Sequence, residues 1–112
     1  MASSDPRKMP VVFYRTRGGS EIVRDWLRAL DERDRNAIGL DLMRIQFRWP
    51  VGMPLCRAMG DGLWEVRTSL SRVLFCVVKE RVVVLHGFIK KTQKTPDDEL
   101  ALVRRRKKEF EA

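Results

Sequence analysis

Apolar residues recur at helical spacing in the first half of the chain. A short β-favouring run at 11–14 follows Pro10, and the paired glycines of RTRGGS end it. From Ser20 to Leu30 apolar residues return every three or four positions between charges, which predicts a helix capped by Ser20. The spacing then continues into a second helix that ends before Pro50, because the residue preceding a proline is disfavoured in helical geometry. The pattern therefore predicts a strand followed by a helical hairpin.

The second half of the chain is typical of strands. Residues 50–62 contain two prolines and three glycines, which indicates an irregular connection. LWEVRT then alternates, placing Leu63, Glu65 and Arg67 on one side of a strand. RVLFCVV and RVVVLHGFI are β-branched and aromatic and are separated only by Lys79 and Glu80, which predicts a tight hairpin. Gly87 favours a bulge near the end of the last strand.

A terminal helix completes the order β-α-α-β-β-β-α. Pro96 and the acidic DDE open this helix, with Asp97 as its expected cap. The order predicts an α+β fold, in which a helical hairpin lies on one face of an antiparallel sheet and the other face stays partly open. We expect one domain over residues 10–112, preceded by a disordered polar leader at residues 1–9.

The net charge of +8 and the sequence pI near 10.2 favour a polyanionic partner. An alternative interpretation is a merely solubilising surface. Cys56 and Cys76 lie far apart, without the neighbouring ligands of a zinc site, so we expect no metal and no cofactor. No apolar stretch has membrane-spanning length, so we expect a cytoplasmic protein without a membrane partner.

Charged residues collect where three successive predicted strands end. Antiparallel pairing would bring Glu65, Arg67, Arg72 and His86 close to the lysines that follow the last strand. Guanidinium groups suit phosphate, because their planar fork donates two parallel hydrogen bonds. Cleaving RNA without a metal requires a base, cations to stabilise the crowded phosphorus and an acid, and every role has a candidate here.

Each candidate also has a structural interpretation. Glu65 and Arg67 could form a solvated face with weak ion pairs. His86, inside an apolar strand, is more typical of a partly buried histidine than of a catalyst. Trp26, Trp49 and Trp64 are more typical of core residues than of stacking platforms, and the basic run at 104–108 could be a solvated last helical turn.

Four segments together resemble the HigB-like, phage-derived branch of the RelE/ParE toxin superfamily. They are FYRTRGGSEIVRDWLRALDERDRNAIG, WPVGMPL, GLWEVRTSLSRVLF and VLHGFIKKTQKTP. The resemblance covers nearly all of the chain after Pro10. It implies a helical hairpin on an antiparallel sheet and a toxin that cuts mRNA on the ribosome without a metal. It also implies two partners besides RNA: the ribosome and a HigA-like helix-turn-helix antitoxin.

The resemblance assigns residues to the reaction. Arg72 matches the central-strand arginine of RelE-like toxins, the Lys90 and Lys91 pair falls near their second basic position, and Glu65 resembles a strand carboxylate of related toxins. The chain lacks a tyrosine near the last catalytic position, so Glu65 or His86 could serve as the base and Phe88 could stack on a nucleobase. The expected catalytic set is Glu65, Arg67, Arg72, His86, Lys90 and Lys91, and the expected RNA contacts are Arg57, Lys94, Arg104, Arg105, Lys107 and Lys108.

Two other functions fit the same fold. A ParE-like member would inhibit gyrase instead of cutting RNA, and a degenerate toxin would remain only as an antitoxin-binding module. Cations clustered at the strand ends favour the ribonuclease, because a gyrase inhibitor needs no phosphate-binding site there.

Overall fold

The computed structural model describes residues 8–68, 71–91 and 94–111, which form five strands and three helices. In chain order these are β1 (Val11–Phe13), α1 (Ile22–Ala29), α2 (Glu32–Arg48), β2 (Cys56–Gly60), β3 (Leu63–Arg67), β4 (Ser71–Val78), β5 (Arg81–Ile89) and α3 (Asp97–Glu111). The α+β prediction, with a helical hairpin packed on a sheet, is confirmed. Residues 1–7, most of the expected leader, lie outside the described residues, whereas Met9 donates its backbone N–H to the Gln46 carbonyl at 3.0 Å.

The five strands form one mixed sheet in the order β1-β5-β4-β3-β2. All neighbours are antiparallel except β1 and β5, which pair in parallel with Val11 opposite Val82. The expectation of a fully antiparallel sheet is therefore wrong at this edge. The physical reason is that the apolar run indicates a strand but not its direction, and the long connection from β1 allows a parallel pairing.

The predicted irregular connection at 50–62 contains a strand. β2 pairs antiparallel with β3, and its first residue, Cys56, is buried instead of lying in a loop. Gly60 and Ala58 have weak strand preferences, so the run does not read as a strand by composition. The turn signal was nonetheless present, because Asp61 and Gly62 both have positive φ, as expected for an Asp-Gly hairpin.

Turn predictions near β4 and β5 are confirmed, while both helix caps differ from expectation. Lys79 and Glu80 form the predicted two-residue hairpin, and β5 carries a bulge close to Gly87. Ser20 does not cap α1, which begins at Ile22 after an N-cap residue without a side-chain capping bond. Asp97 is the first residue of α3 and does not cap it.

The sheet is covered on both faces. The α1–α2 hairpin packs on one face, where all three tryptophans lie against the core as expected. Helix α3 packs on the other face, around Leu74, Leu85 and Val103. The candidate site lies on this second face, at and beyond the N-terminal end of α3.

Candidate functional site

Two cross-strand rows of side chains project from the α3 face of the sheet. In the first row, Glu65 of β3 pairs with Arg57 of β2 and with Leu74 of β4, which in turn pairs with His86 of β5. In the next row, Arg67, Arg72 and Phe88 lie side by side across β3, β4 and β5. Directly paired residues point to the same face, so the register brings these side chains together.

Glu65 is the buried centre of this group, with only 1% of its surface exposed. Its Oε1 atom lies 3.8 Å from Arg72 Nε and 3.9 Å from Arg67 Nε. The Thr95 hydroxyl donates a hydrogen bond to Glu65 Oε2. A buried carboxylate needs such partners, because an unpaired charge in a low-dielectric interior is very costly.

Arg72 is only 3% exposed and is held by the backbone. Its Nη1 atom donates to the carbonyls of Thr68 and Ser71, both at 2.9 Å. Burial lowers the pKa of the Arg72 guanidinium from its usual value, and the nearby Glu65 carboxylate opposes that shift. Arg72 therefore faces Glu65 instead of solvent.

Arg67 reaches further out, with 22% of its side chain exposed. The buried Nε atoms of Arg67 and Arg72 have no hydrogen-bond partner among the described residues. Both lie beside the Glu65 carboxylate but beyond hydrogen-bonding distance from it. Two charged N–H donors thus lack an acceptor at one point of the site, and such donors suit an anionic oxygen.

His86 is half-buried beneath α3. Its Nε2 atom lies 3.2 Å from Glu99 Oε2, and its Nδ1 atom lies 3.4 Å from Arg106 Nη1. Since arginine can only donate, Nδ1 acts as acceptor and the proton resides on Nε2. This Nε2–H is near the Glu99 carboxylate but makes no well-aligned hydrogen bond among the described residues. Burial lowers the His86 pKa from its usual value, although Glu99 opposes the shift. The imidazole is therefore neutral at pH 7.

Lys90 and Lys91 follow β5 at the same end of the sheet as Arg72, because Ile89 pairs with Ser71 at the start of β4. Lys90 is half-exposed and Lys91 is exposed. Lys91 and Phe88 line an open pocket of about 570 Å³ beside the N-terminal turn of α3. Thr92 and Gln93, which lie within the segment that carries the resemblance, are outside the described residues.

The expected RNA-contacting residues divide into two groups. Arg57 is exposed beside Glu65, and Lys94 is exposed in the segment before α3. The other four lie on α3. Arg104, Lys107 and Lys108 line a pocket with Asp61 of the β2–β3 turn, where Arg104 Nε is 3.3 Å from Asp61 Oδ2, and Arg105 is close enough to Tyr14 to affect its pKa. That turn is at the opposite end of β3 from Arg67. The structure therefore does not bring this second group, Arg104, Arg105, Lys107 and Lys108, to the candidate site.

Sequence reasoning missed a buried cluster that fixes α3 to the sheet. Arg106, inside the basic run, is buried and donates to the Leu85 carbonyl at 2.8 Å. Its guanidinium lies 5.1 Å from the centre of the Tyr14 ring, and the Tyr14 hydroxyl donates to Glu109 at 2.5 Å. That bond to a carboxylate is the main cause of the raised Tyr14 pKa. The spacing of Arg106 from Val103 and Phe110 was the available signal, because it places Arg106 on the inner face of α3.

Two further properties concern the described ranges 8–68, 71–91 and 94–111. No three His, Cys, Asp or Glu side chains there are grouped so that they could hold a metal ion. None of the helices in these ranges has the length and apolar character needed to cross a membrane.

Comparison with solved structures shows a likeness to a chain of the RelBE2 toxin–antitoxin complex from Mycobacterium tuberculosis. The TM-score is 0.52 at 18% sequence identity, and the match covers 74% of this chain and 99% of the other. This likeness confirms the RelE-like fold. No curated protein matches the chain in sequence.

The sequence itself also fits a family model. The model of the phage-derived Gp49-like proteins (DUF891) matches residues 25–108, which include most of α1, all of α2, strands β2 to β5 and most of α3. The chain therefore belongs to the phage-derived Gp49-like protein family.

Proposed function

We propose that this protein is the HigB-like toxin of a type II toxin–antitoxin pair and cuts mRNA on the ribosome without a metal. The observation that carries the proposal is the partly exposed Arg67 side chain, whose Nε–H lacks an acceptor among the described residues and lies beside the buried Glu65–Arg72 pair. Lys90 and Lys91 add positive charge at the same end of the sheet. The RelE-like fold and the net charge of +8 support the same conclusion.

In this proposal the catalytic residues have different roles. Arg67, Lys90 and Lys91 contact the scissile phosphate and stabilise the negative charge that grows as the 2′-hydroxyl attacks it. Arg72 holds the Glu65 carboxylate, and Glu65 in turn fixes both guanidinium groups. Positioned charges of this kind act without having to reorganise during the reaction.

Two residues remain candidates for the base that removes the 2′-hydroxyl proton. Glu65 is almost fully buried and its two oxygens face Thr95 and the arginines. His86 is more exposed, but its Nδ1 lone pair faces Arg106 and its Nε2 carries the proton, so it can act as the base only once Arg106 turns away. Both residues therefore stay candidates for the base, and we expect Phe88, whose ring centre lies 5.5 Å from that of His86, to stack on a nucleobase.

RNA outside the cleavage point would follow the cations around the site. Arg57 of β2 pairs with Glu65 of β3, and Lys94 is in the segment that leads into α3. Arg104, Arg105, Lys107 and Lys108 would contact a more distant part of the mRNA or the ribosome. The HigA-like helix-turn-helix antitoxin would be the protein's inhibitor in the cytoplasm.

The burial of Glu65 and Arg72 favours a second candidate, a module that keeps the toxin fold and binds its antitoxin without cutting RNA. A carboxylate and a guanidinium that neutralise each other inside the protein can serve stability alone. The two candidates differ in one measurable property, which is whether RNA is cut.

The test is a cleavage assay with purified protein and ribosomes programmed with a defined mRNA. We expect a cut in the A-site codon that leaves a 2′,3′-cyclic phosphate or its hydrolysed 3′-phosphate. A 3′-hydroxyl end would indicate a metal-assisted reaction, and intact mRNA would favour the binding module. A parallel gyrase supercoiling assay detects the ParE-like activity, and co-purification with the product of a neighbouring helix-turn-helix gene tests the partner.

A further inference from the structure

Helix α2 carries an apolar stripe on its outer face, and Lys8 Nζ lies 5.7 Å from the centre of the Phe47 ring at one end of it. Leu40, Met43 and Phe47 are 57%, 51% and 39% exposed, although all three are large apolar residues. Their spacing of three and four residues places them on one side of the helix. The opposite side of α2 already packs against the sheet through Ile38 and Ile45. The helix is therefore apolar on two faces, and among the described residues only one of them packs in the core.

Gly39 lies in the same stripe, four residues before Met43. A Cβ atom at this position would meet no other atom within 4 Å. Glycine inside a helix is less favourable than alanine, because it loses more backbone freedom on folding. No contact among the described residues requires a glycine here. Its absent side chain lets the backbone of a second molecule approach α2 closely.

The stripe borders a groove. Leu40 and Arg44 line an open pocket of about 480 Å³ whose other wall is formed by Pro54, Leu55, Arg67 and Thr68. Apolar clefts with a few polar groups are typical of ligand and peptide sites. A concave surface suits a rod-shaped segment such as a helix better than it suits a flat membrane.

The charges beside the stripe indicate what kind of molecule would bind this face of α2. Arg44 and Arg48 follow Leu40 at intervals of four residues and are both exposed. Asp41, the acidic residue in the groove, is paired with Arg44 at 3.0 Å. A second copy of the chain would bring two such arginine rows and two +8 charges together, which is unfavourable. An RNA backbone supplies negative charge but no side chains for the apolar stripe.

We propose that this outer face of α2 docks an acidic amphipathic helix from another protein. Apolar residues of that helix would cover Leu40, Met43 and Phe47, and its carboxylates would face Arg44 and Arg48. The hairpin lies on the opposite face of the sheet from the Glu65–Arg72 pair. The groove beside α2 is also lined by Arg67, so a helix bound there would lie next to the exposed part of that arginine and leave Glu65 and Arg72 on the other face. This surface is a docking site for the acidic partner of the proposed function.

The test uses the full chain and a synthetic peptide of about 20 residues, long enough to form a helix. The peptide has leucines at i, i+3 and i+7 and glutamates on both flanks, and a matched peptide carries lysines instead. Fluorescence anisotropy should show saturable binding of the acidic peptide and at least about tenfold weaker binding of the basic one. The double variant Leu40→Gln, Met43→Gln should weaken binding of the acidic peptide by at least about tenfold.

Ile22→Gln is the matched control, because Ile22 is a similarly exposed apolar residue on α1 and should bind the peptide like the unaltered chain. Absent binding, equal binding of both peptides, or binding unchanged in the double variant would overturn the proposal. So would self-association, or binding to phosphatidylglycerol vesicles, that the double variant abolishes. The assay contains neither RNA nor ribosomes, so its failure is distinct from failure of the proposed function.

Discussion

The Glu65 carboxylate lies 3.8 Å from the Arg72 guanidinium, and both side chains are buried in the sheet. Arg67 approaches the same carboxylate oxygen at 3.9 Å but retains an exposed portion. The site is thus a buried ion pair with one arginine that reaches solvent. This arrangement separates residues that stabilise the site from the residue that can contact RNA.

Arg67→Ala should reduce mRNA cleavage while leaving the fold intact. Of the two guanidinium groups beside Glu65, that of Arg67 is the one exposed enough to contact a bound phosphate. Loss of one transition-state donor typically lowers the rate by about 10²–10³-fold. Single-turnover cleavage on programmed ribosomes measures this effect. Arg28→Ala removes the same charge from an exposed position on α1 and should cut at the normal rate. Equal cleavage by the two variants would remove Arg67 from the site.

Arg72→Met should instead destabilise the protein. It leaves the buried Glu65 carboxylate without its closest cation, and breaking a buried ion pair usually costs about 3–5 kcal/mol. Glu65→Leu should also be destabilising, because it leaves two arginines next to each other. Urea unfolding measures both losses.

The double variant Glu65→Leu, Arg72→Met should lose less stability than the sum of the two single variants, since neither buried charge is then left alone. Additive losses would show that the two side chains do not stabilise each other. The exposed pair Arg24–Glu21, 3.1 Å apart, is the comparison, and its removal should cost under about 1 kcal/mol.

Stability should fall as the pH drops below the unfolded-state pKa of histidine, about 6.5. Burial lowers the His86 pKa in the folded chain, so the unfolded chain binds the proton first. Glu99 favours the charged form and Arg106 opposes it, and the net shift is downward. One such group changes the free energy of unfolding by at most about 1.4 kcal/mol per pH unit. The change stops at the pH at which His86 is protonated in the folded chain too.

Urea unfolding between about pH 5 and pH 7 measures this dependence, because few other side chains titrate there. His86 is the chain's only histidine, so His86→Gln should flatten the curve in this range. If His86→Gln keeps the slope of the unaltered chain, His86 is not the group responsible.

Local patterns in the sequence were sufficient to predict part of the candidate site. Strands β3 and β4 are adjacent in the chain, so their hairpin places Arg67 opposite Arg72, and the two-residue turn at 79–80 then aligns β5. These short-range pairings follow from alternation and turn residues. The convergence of charges at one end of the sheet could therefore be predicted.

Contacts between residues far apart in the sequence could not be predicted from these local patterns. Thr95 bonds to Glu65 from a segment 30 residues away, and that contact helps to bury the carboxylate. Helix periodicity cannot tell which sheet face α3 will cover, so Arg106 was not recognised as a buried residue within a basic run. The direction of β1 likewise depends on its pairing with β5, which is made through residues 71 positions apart.

Gly39→Ala should stabilise the free protein. Alanine is favoured over glycine inside a helix by about 0.5–1 kcal/mol, and the added methyl group meets no atom within 4 Å. Urea unfolding of the purified chain measures the gain. An unchanged or lower stability would mean that Gly39 already serves the isolated fold, which would weaken its interpretation as part of a docking surface.

The same substitution at Gly87 provides the matched control, because Gly87→Ala should lower the free energy of unfolding instead of raising it. There a Cβ atom would lie 2.3 Å from Cζ3 of Trp26, whose ring packs directly on the β5 backbone. Forcing a methyl group into that contact should cost about 1–3 kcal/mol, the usual range for overpacking a core. Gly87 therefore has a structural reason inside the chain, whereas no neighbour among the described residues requires a glycine at position 39. A stabilised Gly39→Ala together with a destabilised Gly87→Ala would show that the isolated fold does not need the glycine at position 39, as the docking proposal expects.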